Sequence, residues 1–390
     1  MLIATTMAGQ AFAQTGEPPA GKPSGEESMR SSGPSGAVAP KSRLPLADPS
    51  HFSDTAQPAS APAATPAGTA GVSSDKGVKS ASEAPMAYGS SYAPHTTRRA
   101  AVTSLGASTL ANATPVTSYP FRASGRLWMR FGTAWYVCTG TMISKNIVLT
   151  AAHCVHNYGQ GQAGYAAEVW FYPAQYTNAS GTQITPYGTF KAARWRVLGP
   201  YYYGTDTCTQ TGVVCNNDLA TVVLNKNSSN QYPGDLTGWL AYGWNGYSLA
   251  SFFGQYLSQL TQIGYPVALD YGKDMERTDA VGWYYSSGNL KNMQMGSAQT
   301  GGSSGGPWAV NYGRTPTVTD ATKASLGNAT TQAVVGVTSY GSTTVGYNRQ
   351  GASFFGQNAQ YPNGSYNGRG AGNIGALVDF TITYDGGVAP

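Results

Sequence analysis

The chain has 390 residues, a net charge of +5 and charged side chains at only 11% of its positions. This length accommodates one large domain or two ordinary ones, and the weak positive charge, which is not gathered into basic runs, speaks against nucleic-acid binding. No run reaches the ~18 consecutive apolar residues of a membrane-spanning helix, so no membrane association is expected.

The N-terminal part of the chain differs in composition from the rest. All eight tryptophans and all four cysteines follow residue 118, whereas Pro, Ala, Ser, Gly and Thr dominate before it. Such a segment buries too little apolar surface to offset its ordering entropy. The start ends in Ala11-Phe12-Ala13, typical of signal-peptide cleavage, although it lacks a basic beginning; an ordinary disordered end is the alternative. We predict a truncated signal peptide at 1–13, a disordered pro-region at 14–117 and a folded domain at 118–390.

From Tyr119 onward, the pattern predicts short strands separated by turns. The strand-like runs are GRLWMRFG, AWYVCTGTMIS, IVLTAA, AAEVWFYP, DLATVVLN, QAVVGVTSYG and GALVDFTITY. Long helical periodicity is scarce, and LASFFGQYLSQL, residues 249–260, is the best helix candidate. Many short strands with frequent turns predict an all-β barrel or sandwich.

The stretch VLTAAHCV carries His153, in a chain with only four histidines. A histidine at the end of an apolar run can be a proton-transfer group, a metal ligand or a core residue. A zinc site is poorly supported, because no C-x-x-C motif occurs and His153 and His156 have no acidic partner nearby in the sequence.

The four cysteines permit three pairings. Local pairing, Cys138 with Cys154 and Cys208 with Cys215, is the simplest, and four buried thiols are the alternative. A bridge across the first loop, which has about 15 residues, would stabilise the fold by ~3 kcal/mol in the chain-entropy model.

Two later stretches complement the histidine. In CNNDLATVVLN, Asp218 stands where a polar turn becomes an apolar strand; it is either a turn cap or a carboxylate that accepts the Nδ1–H of a histidine. In QTGGSSGGPW, glycines surround Ser304, so the stretch is either a flexible linker or a loop that aims its N–H groups at one oxyanion. Together the three residues form a nucleophile, base and orienter.

The motifs TAAHC, NDLATVVL and GSSGGP resemble the three signature segments of the chymotrypsin-like serine endopeptidases. The resemblance covers about Ser118 to Tyr384, and TGGSSG is similar to the bacterial V8-like, glutamyl endopeptidase-type branch. It implies an all-β fold of two packed six-stranded antiparallel β-barrels. It also implies a monomer that needs no cofactor or metal ion and acts on protein or peptide substrates.

The same resemblance implies a role for each matching residue. Ser304 is the nucleophile, His153 the general base, and Asp218 orients His153. The N–H groups of Gly302 and Ser304 form the oxyanion hole. His156 then becomes an ordinary loop residue.

Activation by the trypsin-type ion pair is not expected. Ser303 stands where trypsin-like relatives carry the aspartate that pairs with a new N-terminus, and no Ile-Val-Gly-Gly-like start is present. We expect a secreted precursor, extracellular or periplasmic, whose N-terminal segment is removed by another route. The bond between Arg99 and Ala100 is a candidate cleavage site.

The substrate pocket is expected to prefer a neutral P1 residue. Ala298 stands where trypsins carry an aspartate, and Thr338 stands where glutamate-specific relatives carry a histidine. Ser339, Tyr340 and Gly341 match the family's pocket-wall strand and are predicted to face the substrate.

Two other functions remain open. A catalytically silent homologue would bind protein or glycan partners, for which the run Tyr201–Tyr203 in a chain with 26 tyrosines offers a surface. An esterase could use the same triad, but nothing in the sequence builds a lipid-like pocket. A structural calcium ion is not indicated either, because no loop has the required density of acidic residues.

Overall fold

The computed structural model describes residues 41–42, 46–47, 95–100, 116–252, 254–313, 332–342 and 348–390. The strands are β1 (Lys41–Ser42), β2 (Leu46–Ala47), β3 (His95–Arg99), β4 (Ser124–Phe131), β5 (Ala134–Met142), β6 (Ile147–Thr150), β7 (Glu168–Pro173), β8 (Tyr176–Thr177), β9 (Gln183–Ile184), β10 (Phe190–Val197), β11 (Cys208–Gln210), β12 (Val213–Cys215), β13 (Ala220–Leu224), β14 (Ala241–Tyr242), β15 (Ala250–Phe252), β16 (Gln255–Gly264), β17 (Glu276–Ser287), β18 (Leu290–Gly296), β19 (Pro307–Val310), β20 (Ala333–Ser342) and β21 (Arg349–Phe354). The α-helices are α1 (Ala152–Val155), α2 (Gly199–Tyr203), α3 (Pro233–Thr237) and α4 (Gly372–Tyr384).

The N-terminal barrel consists of six antiparallel strands in the order β5-β4-β7-β10-β13-β6, closed by pairing between β5 and β6. In β4, Leu127 and Met129 are fully buried, whereas the alternate side chains of Trp128 and Arg130 are partly exposed. Because successive side chains of a strand point to opposite faces, this alternation fills the barrel from one face of each strand.

The C-terminal barrel also has six antiparallel strands, in the order β16-β19-β20-β21-β18-β17, and pairing between β16 and β17 closes it. The predicted fold of two six-stranded antiparallel barrels is therefore confirmed. The short strand β2 adds to β20 in parallel, with Leu46 opposite Gly341 and Ala47 opposite Ser342.

The folded part of the chain begins earlier than the predicted boundary at residue 118. Residues His95–Arg99 form β3, which pairs antiparallel with Glu276–Ala280 of β17. The partner half of β17 lies beyond its pairing with β18, which uses only residues 282–287. A strand edge left open by one neighbour offers unpaired N–H and C=O groups, which another segment of the chain can satisfy.

The predicted strand at the C-terminal end is wrong, because residues 375–384 belong to helix α4. Ile374, Leu377, Val378 and Thr381 are fully buried, and their spacing of three and four residues places them on one helical face. The helix packs against β10 and β13 of the N-terminal barrel. No helix in the described ranges is both long and apolar enough to cross a membrane.

The predicted helix at 249–260 is also wrong. This segment contributes β15 and the first part of β16, which pair as a hairpin with Phe252 opposite Gln255. Gly254 has a φ of 78°, a left-handed conformation that glycine adopts without a steric penalty. Phe252 and Tyr256 remain exposed on this hairpin, whereas Leu260 is fully buried and Leu249 packs against the same core cluster.

Candidate active site

His153 lies in the short helix α1, directly after β6. Its Nδ1–H donates to Asp218 Oδ2 at 2.8 Å, and its backbone N–H donates to Asp218 Oδ1 at 2.9 Å. These two bonds fix both the backbone and the ring of His153, and they leave Nε2 as the ring nitrogen available for proton transfer.

The pairing Cys138–Cys154 is present, as predicted, and ties the residue after His153 to β5. Cys208–Cys215 is the second disulfide, and it joins β11 to β12. Both bridges therefore lie beside segments that carry the histidine and the aspartate.

Asp218 is completely buried in the loop two residues before β13. Besides the two bonds to His153, its Oδ2 accepts the hydroxyl of Ser339 at 2.6 Å. Its backbone N–H donates to Ser353 Oγ at 3.2 Å, and Ser353 in turn donates to Cys215 O. Two serines of the C-terminal barrel thus bond Asp218, Ser339 at its carboxylate and Ser353 at its backbone N–H.

Ser304 lies in a loop that is fastened to the N-terminal barrel. Its carbonyl oxygen accepts the N–H of Thr139 at 2.8 Å, and Thr139 Oγ1 donates to Gly302 O at 2.9 Å. A Cβ on Gly305 would collide with Thr150, Thr139 and Ala151. Glycine at 305 therefore allows the Ser304 loop to lie directly on the strands that lead to His153.

The Ser304 hydroxyl is buried and has no hydrogen-bond partner within the described ranges. Of the two bonds that the predicted triad requires, the one between His153 and Asp218 is formed in this structure and the one between Ser304 and His153 is not. Catalytic hydrogen bonds often tighten only when substrate binds. The neighbouring Ser303 is already engaged, because its hydroxyl donates to Thr300 O at 2.6 Å.

The two N–H groups predicted for the oxyanion hole are available. In the part of the chain that the structure describes, neither Gly302 N–H nor Ser304 N–H donates a hydrogen bond. Gly302 has a φ of 98°, and a Cβ there would meet Tyr265 O. The adjacent N–H groups of Ser303 and Gly305 instead donate to Thr300 O and Thr338 O.

The predicted pocket-wall residues have different environments. Ala298 is buried and its N–H donates to Thr97 Oγ1 of β3 at 3.2 Å. Ser339 bonds the aspartate, as described above, and Gly341 pairs with both Gln350 and Leu46. The sequence did not reveal this attachment of Ser339 or the presence of β3 and β2 beside the wall.

Tyr340 is also turned away from solvent. Its ring packs with Val213, Val214 and Leu290, and its hydroxyl donates to Asn292 Oδ1 at 3.2 Å. Burial raises the pKa of this phenol well above its usual value. Tyr340 therefore holds the disulfide hairpin β11–β12 against the C-terminal barrel.

Beneath the Ser304 loop, the C-terminal barrel contains a buried network of glutamines. Gln262 donates to Thr338 Oγ1 at 2.8 Å and to Gln350 Oε1, and it accepts the hydroxyl of Ser297 at 2.7 Å. Gln350 donates to Gln299 O. Thr338 also accepts the indole N–H of Trp308 at 3.0 Å, so its hydroxyl is committed to the barrel interior.

The candidate cleavage site is built into the sheet. The N–H of Ala100 donates to Met275 O at 2.8 Å, and Arg99 Nε donates to Asp270 Oδ2 at 2.8 Å. Cleavage between Arg99 and Ala100 would first require β3 to detach, because a protease needs an extended, accessible backbone.

Arg99 lies beside the acidic side chains of Asp270 and Glu276. The hydrogen bond from its guanidinium lowers the pKa of Asp270. Burial, together with a hydrogen bond to the Asp270 carboxylate, raises the pKa of Glu276 to about 9. Glu276 is therefore protonated at neutral pH.

Two groups of potential metal ligands lie within the described residues, Cys138 with His153 and Cys154, and Asp206 with Cys208 and Cys215. In both groups the cysteine sulfurs are joined in disulfides, so they offer no thiolate. These donor sets do not fit a metal ion. His156, which directly follows the VLTAAHCV motif, is buried and its Nε2–H donates to Gly161 O at 2.7 Å.

Comparisons with known proteins place this geometry in context. The family model described as Trypsin matches residues 111–355. An extracellular metalloprotease of Bacillus subtilis (strain 168) is 28% identical over 128 residues, which are 32% of this chain and only 34% of that relative. The chain thus spans about a third of the length of that curated relative.

Several solved structures are similar in fold. The protease Anisep from Arthrobacter nicotinovorans has a TM-score of 0.45 and 23% identity, covering 61% of this chain and 92% of its own. A thermostable serine protease, AL20, from an extremophilic microorganism has a TM-score of 0.44 and 21% identity, covering 60% and 92%. A Glu endopeptidase has a TM-score of 0.42 and 17% identity, covering 70% and 94%.

Proposed function

We propose that this chain, which belongs to the trypsin family, is a serine endopeptidase that cleaves peptide bonds with His153, Asp218 and Ser304 as its catalytic triad. The observation that carries the proposal is the pair of hydrogen bonds that His153 donates to Asp218, one from its ring Nδ1–H and one from its backbone N–H. The attachment of the Ser304 loop to Thr139, next to the disulfide that holds His153, supports the third member.

In this mechanism Ser304 Oγ attacks the scissile carbonyl carbon while its proton passes to His153 Nε2. The N–H groups of Gly302 and Ser304 donate to the resulting oxyanion, which fixed donors stabilise most where charge develops. His153 then returns the proton to the leaving amine, and the acyl-enzyme forms. Water, deprotonated by His153, releases the acyl group in the same way. Asp218 keeps the Nδ1–H tautomer and stabilises the imidazolium.

We further propose that the enzyme is made as a secreted precursor. Two disulfides suit an oxidising compartment. The pairing of Leu46 and Ala47 with Gly341 and Ser342 supports a precursor, because it occupies a strand edge that an extended peptide could otherwise use. Removal of the N-terminal segment would expose this edge.

A neutral P1 residue remains our proposal for specificity. Thr338, at the position of the histidine in glutamate-specific relatives, has its hydroxyl bonded within the barrel. Ala298 provides no charge for Lys or Arg. A peptide-library cleavage profile dominated by Glu, Lys or Arg would contradict this specificity without affecting the triad.

Casein hydrolysis tests the proposed activity. The naturally processed protein should cleave casein, and Ser304→Ala should lower kcat by several orders of magnitude. Ser303→Ala is the matched control, since it loses one loop hydrogen bond and should cost no more than about tenfold in rate. A folded wild type with no hydrolysis of casein or of peptide libraries would favour the silent homologue. Hydrolysis of esters alone would favour the esterase.

A further inference from the structure

A carboxyl group outside the triad holds the residue that precedes Asp218. Asp206 Oδ2 accepts the backbone N–H of Asn217 at 2.8 Å, and Oδ1 accepts its side-chain amide at 2.7 Å. Asp206 is 9% exposed and Asn217 is completely buried. The two bonds are charge-assisted when Asp206 is ionised, and such bonds are about twice as strong as neutral ones.

The bonds from Asp206 extend the hairpin that leads to the aspartate of the triad. Strands β11 and β12 pair Cys208 with Cys215, and beyond them Asn216 N–H donates to Thr207 O at 3.0 Å. At the next position along the hairpin, the Asp206 carboxylate takes the place of a backbone carbonyl and accepts the N–H of Asn217. The last hydrogen bond of the hairpin before Asp218 is therefore made by a side chain.

Asn217 is also held from the other side. Its Oδ1 accepts Asn358 Nδ2 at 2.9 Å, and its Nδ2 donates to Gln360 Oε1 at 2.8 Å. All polar atoms of this side chain are therefore engaged, and rotation of the Asn217 peptide would break several buried hydrogen bonds. Each buried group left without a partner costs about 1–3 kcal/mol.

We propose that Asp206 is a positioning residue of this peptidase, which fixes Asn217 and through it the Asp218 carboxylate that orients His153. The inference rests on the proposed triad. Asp206 touches neither the substrate nor the reacting atoms, so it acts on the rate through the orientation of the Asp218–His153 pair.

Asp206 also adds a charge that depends on pH. Burial raises the pKa of Asp206 to about 7, against the hydrogen bonds from Asn217 and Thr207. The titratable groups that face it are Asp218, Tyr158, whose hydroxyl donates to Asp206 O, and Tyr361. Protonation of Asp206 below that pH removes the negative charge that strengthens its bonds to Asn217.

The test is Asp206→Asn in the processed protein, with kcat and KM measured on a peptide substrate across pH. The variant places an amide where two donors need acceptors, so kcat should fall about tenfold or more while KM changes less than twofold. The pH profile of kcat should also change, because the ionisation of Asp206 near pH 7 no longer contributes to it. Asp379→Asn is the matched control, since it removes a buried carboxylate bound to Arg369 and Asn367 and should leave kcat and its pH profile unchanged.

Proton NMR provides a readout that does not need turnover. The proton on His153 Nδ1, bonded to Asp218, should give a far-downfield resonance that shifts or broadens in Asp206→Asn and not in Asp379→Asn. If Asp206→Asn does not fold, Asn217→Ser keeps the backbone N–H and removes the amide, and it should show smaller changes of the same kind. A folded Asp206→Asn or Asn217→Ser with wild-type kcat, pH profile and resonance would overturn the proposal. An inactive wild type would instead contradict the proposed function itself.

Discussion

The interiors of the two barrels differ in chemistry although their topologies match. The N-terminal barrel is filled by apolar side chains such as Leu127, Leu149 and Phe171, all fully buried. Under the Ser304 loop, the C-terminal barrel instead buries Gln262 and Gln350 in a hydrogen-bonded network. An apolar core loses stability in proportion to the atoms removed, whereas a polar network fails sharply when one member leaves its partners unsatisfied.

This difference matches what each barrel must hold. In the proposed triad, the base and its orienter are joined by direct bonds on a rigid apolar support. The proposed nucleophile loop has to present free N–H groups, so its other backbone groups must be bonded elsewhere. Thr338 does this, because its carbonyl accepts Gly305 N–H and its N–H donates to Gly306 O. The glutamine network below fixes Thr338 in turn.

The largest effect is expected where the two barrels meet. Asp218→Asn leaves both interiors intact but places an amide against the Nδ1–H of His153 and the hydroxyl of Ser339. The neutral tautomer should reverse, and kcat should fall by about 10,000-fold with little change in KM. Steady-state kinetics on a peptide substrate measure this, and unchanged thermal unfolding shows that the barrels persist. A loss below tenfold would mean that Asp218 does not orient the base.

The N-terminal interior can be broken without touching the site. Phe171→Ala removes a fully buried ring from the core and should lower the free energy of unfolding by about 3–5 kcal/mol. Because Phe171 belongs to the apolar core and not to the hydrogen bonds that hold His153 on Asp218, kcat at 25 °C should stay within about threefold of wild type. Denaturant unfolding and kinetics on the same sample make the comparison. A large fall in kcat alongside the loss of stability would contradict the idea that the core and the active site respond independently.

The C-terminal interior should respond in the opposite proportion. Gln262→Leu leaves the hydroxyl of Ser297 and the amide of Gln350 without their partner, at a cost of about 1–3 kcal/mol in stability. Because the same network positions Thr338, kcat/KM should fall more per kcal/mol lost than in Phe171→Ala. If both variants lose the same fraction of kcat/KM per kcal/mol of stability, the glutamine network does not position the Ser304 loop.

The smallest effect concerns the attachment of β3 to the C-terminal barrel. The pKa of Glu276 is raised from 4.5 to about 9 in the folded chain. The unfolded chain therefore releases this proton first, and stability should decline as pH rises between those two values. In Glu276→Gln this decline should be weaker, which thermal unfolding between pH 5 and 9 measures. Parallel curves for the two proteins would show that Glu276 does not titrate as described.

Much of the site could be predicted from short motifs, because His153, Asp218 and Ser304 stand in local patterns that chemistry restricts. Strands with alternating burial, such as β4, were equally visible. Helix α4 was not, because its β-branched residues favour strands and only packing against β10 and β13 selects the helix. The hairpin of β15 and β16 was missed because its exposed aromatic residues imitate an apolar face.

Contacts between distant segments explain the remaining differences. The sequence around Thr97 and Arg99 does not indicate that these residues pair with an open edge of β17. The bond from Ser339 to Asp218 and the grip of Asp206 on Asn217 also join separate segments. Ser and Asp are common in loops, so the presence of these residues in the sequence does not indicate which partners they contact in the fold.

Covalent labelling tests the central claim most directly. A serine-directed organophosphonate reacts with a hydroxyl only where a base activates it and an oxyanion hole receives the phosphoryl oxygen. Incubated with the processed protein, it should give a single adduct that tandem mass spectrometry maps to Ser304, and Ser304→Ala and His153→Ala should abolish it while Ser303→Ala retains it. No adduct on the folded wild type, or an adduct on Ser303, would contradict the triad proposed here.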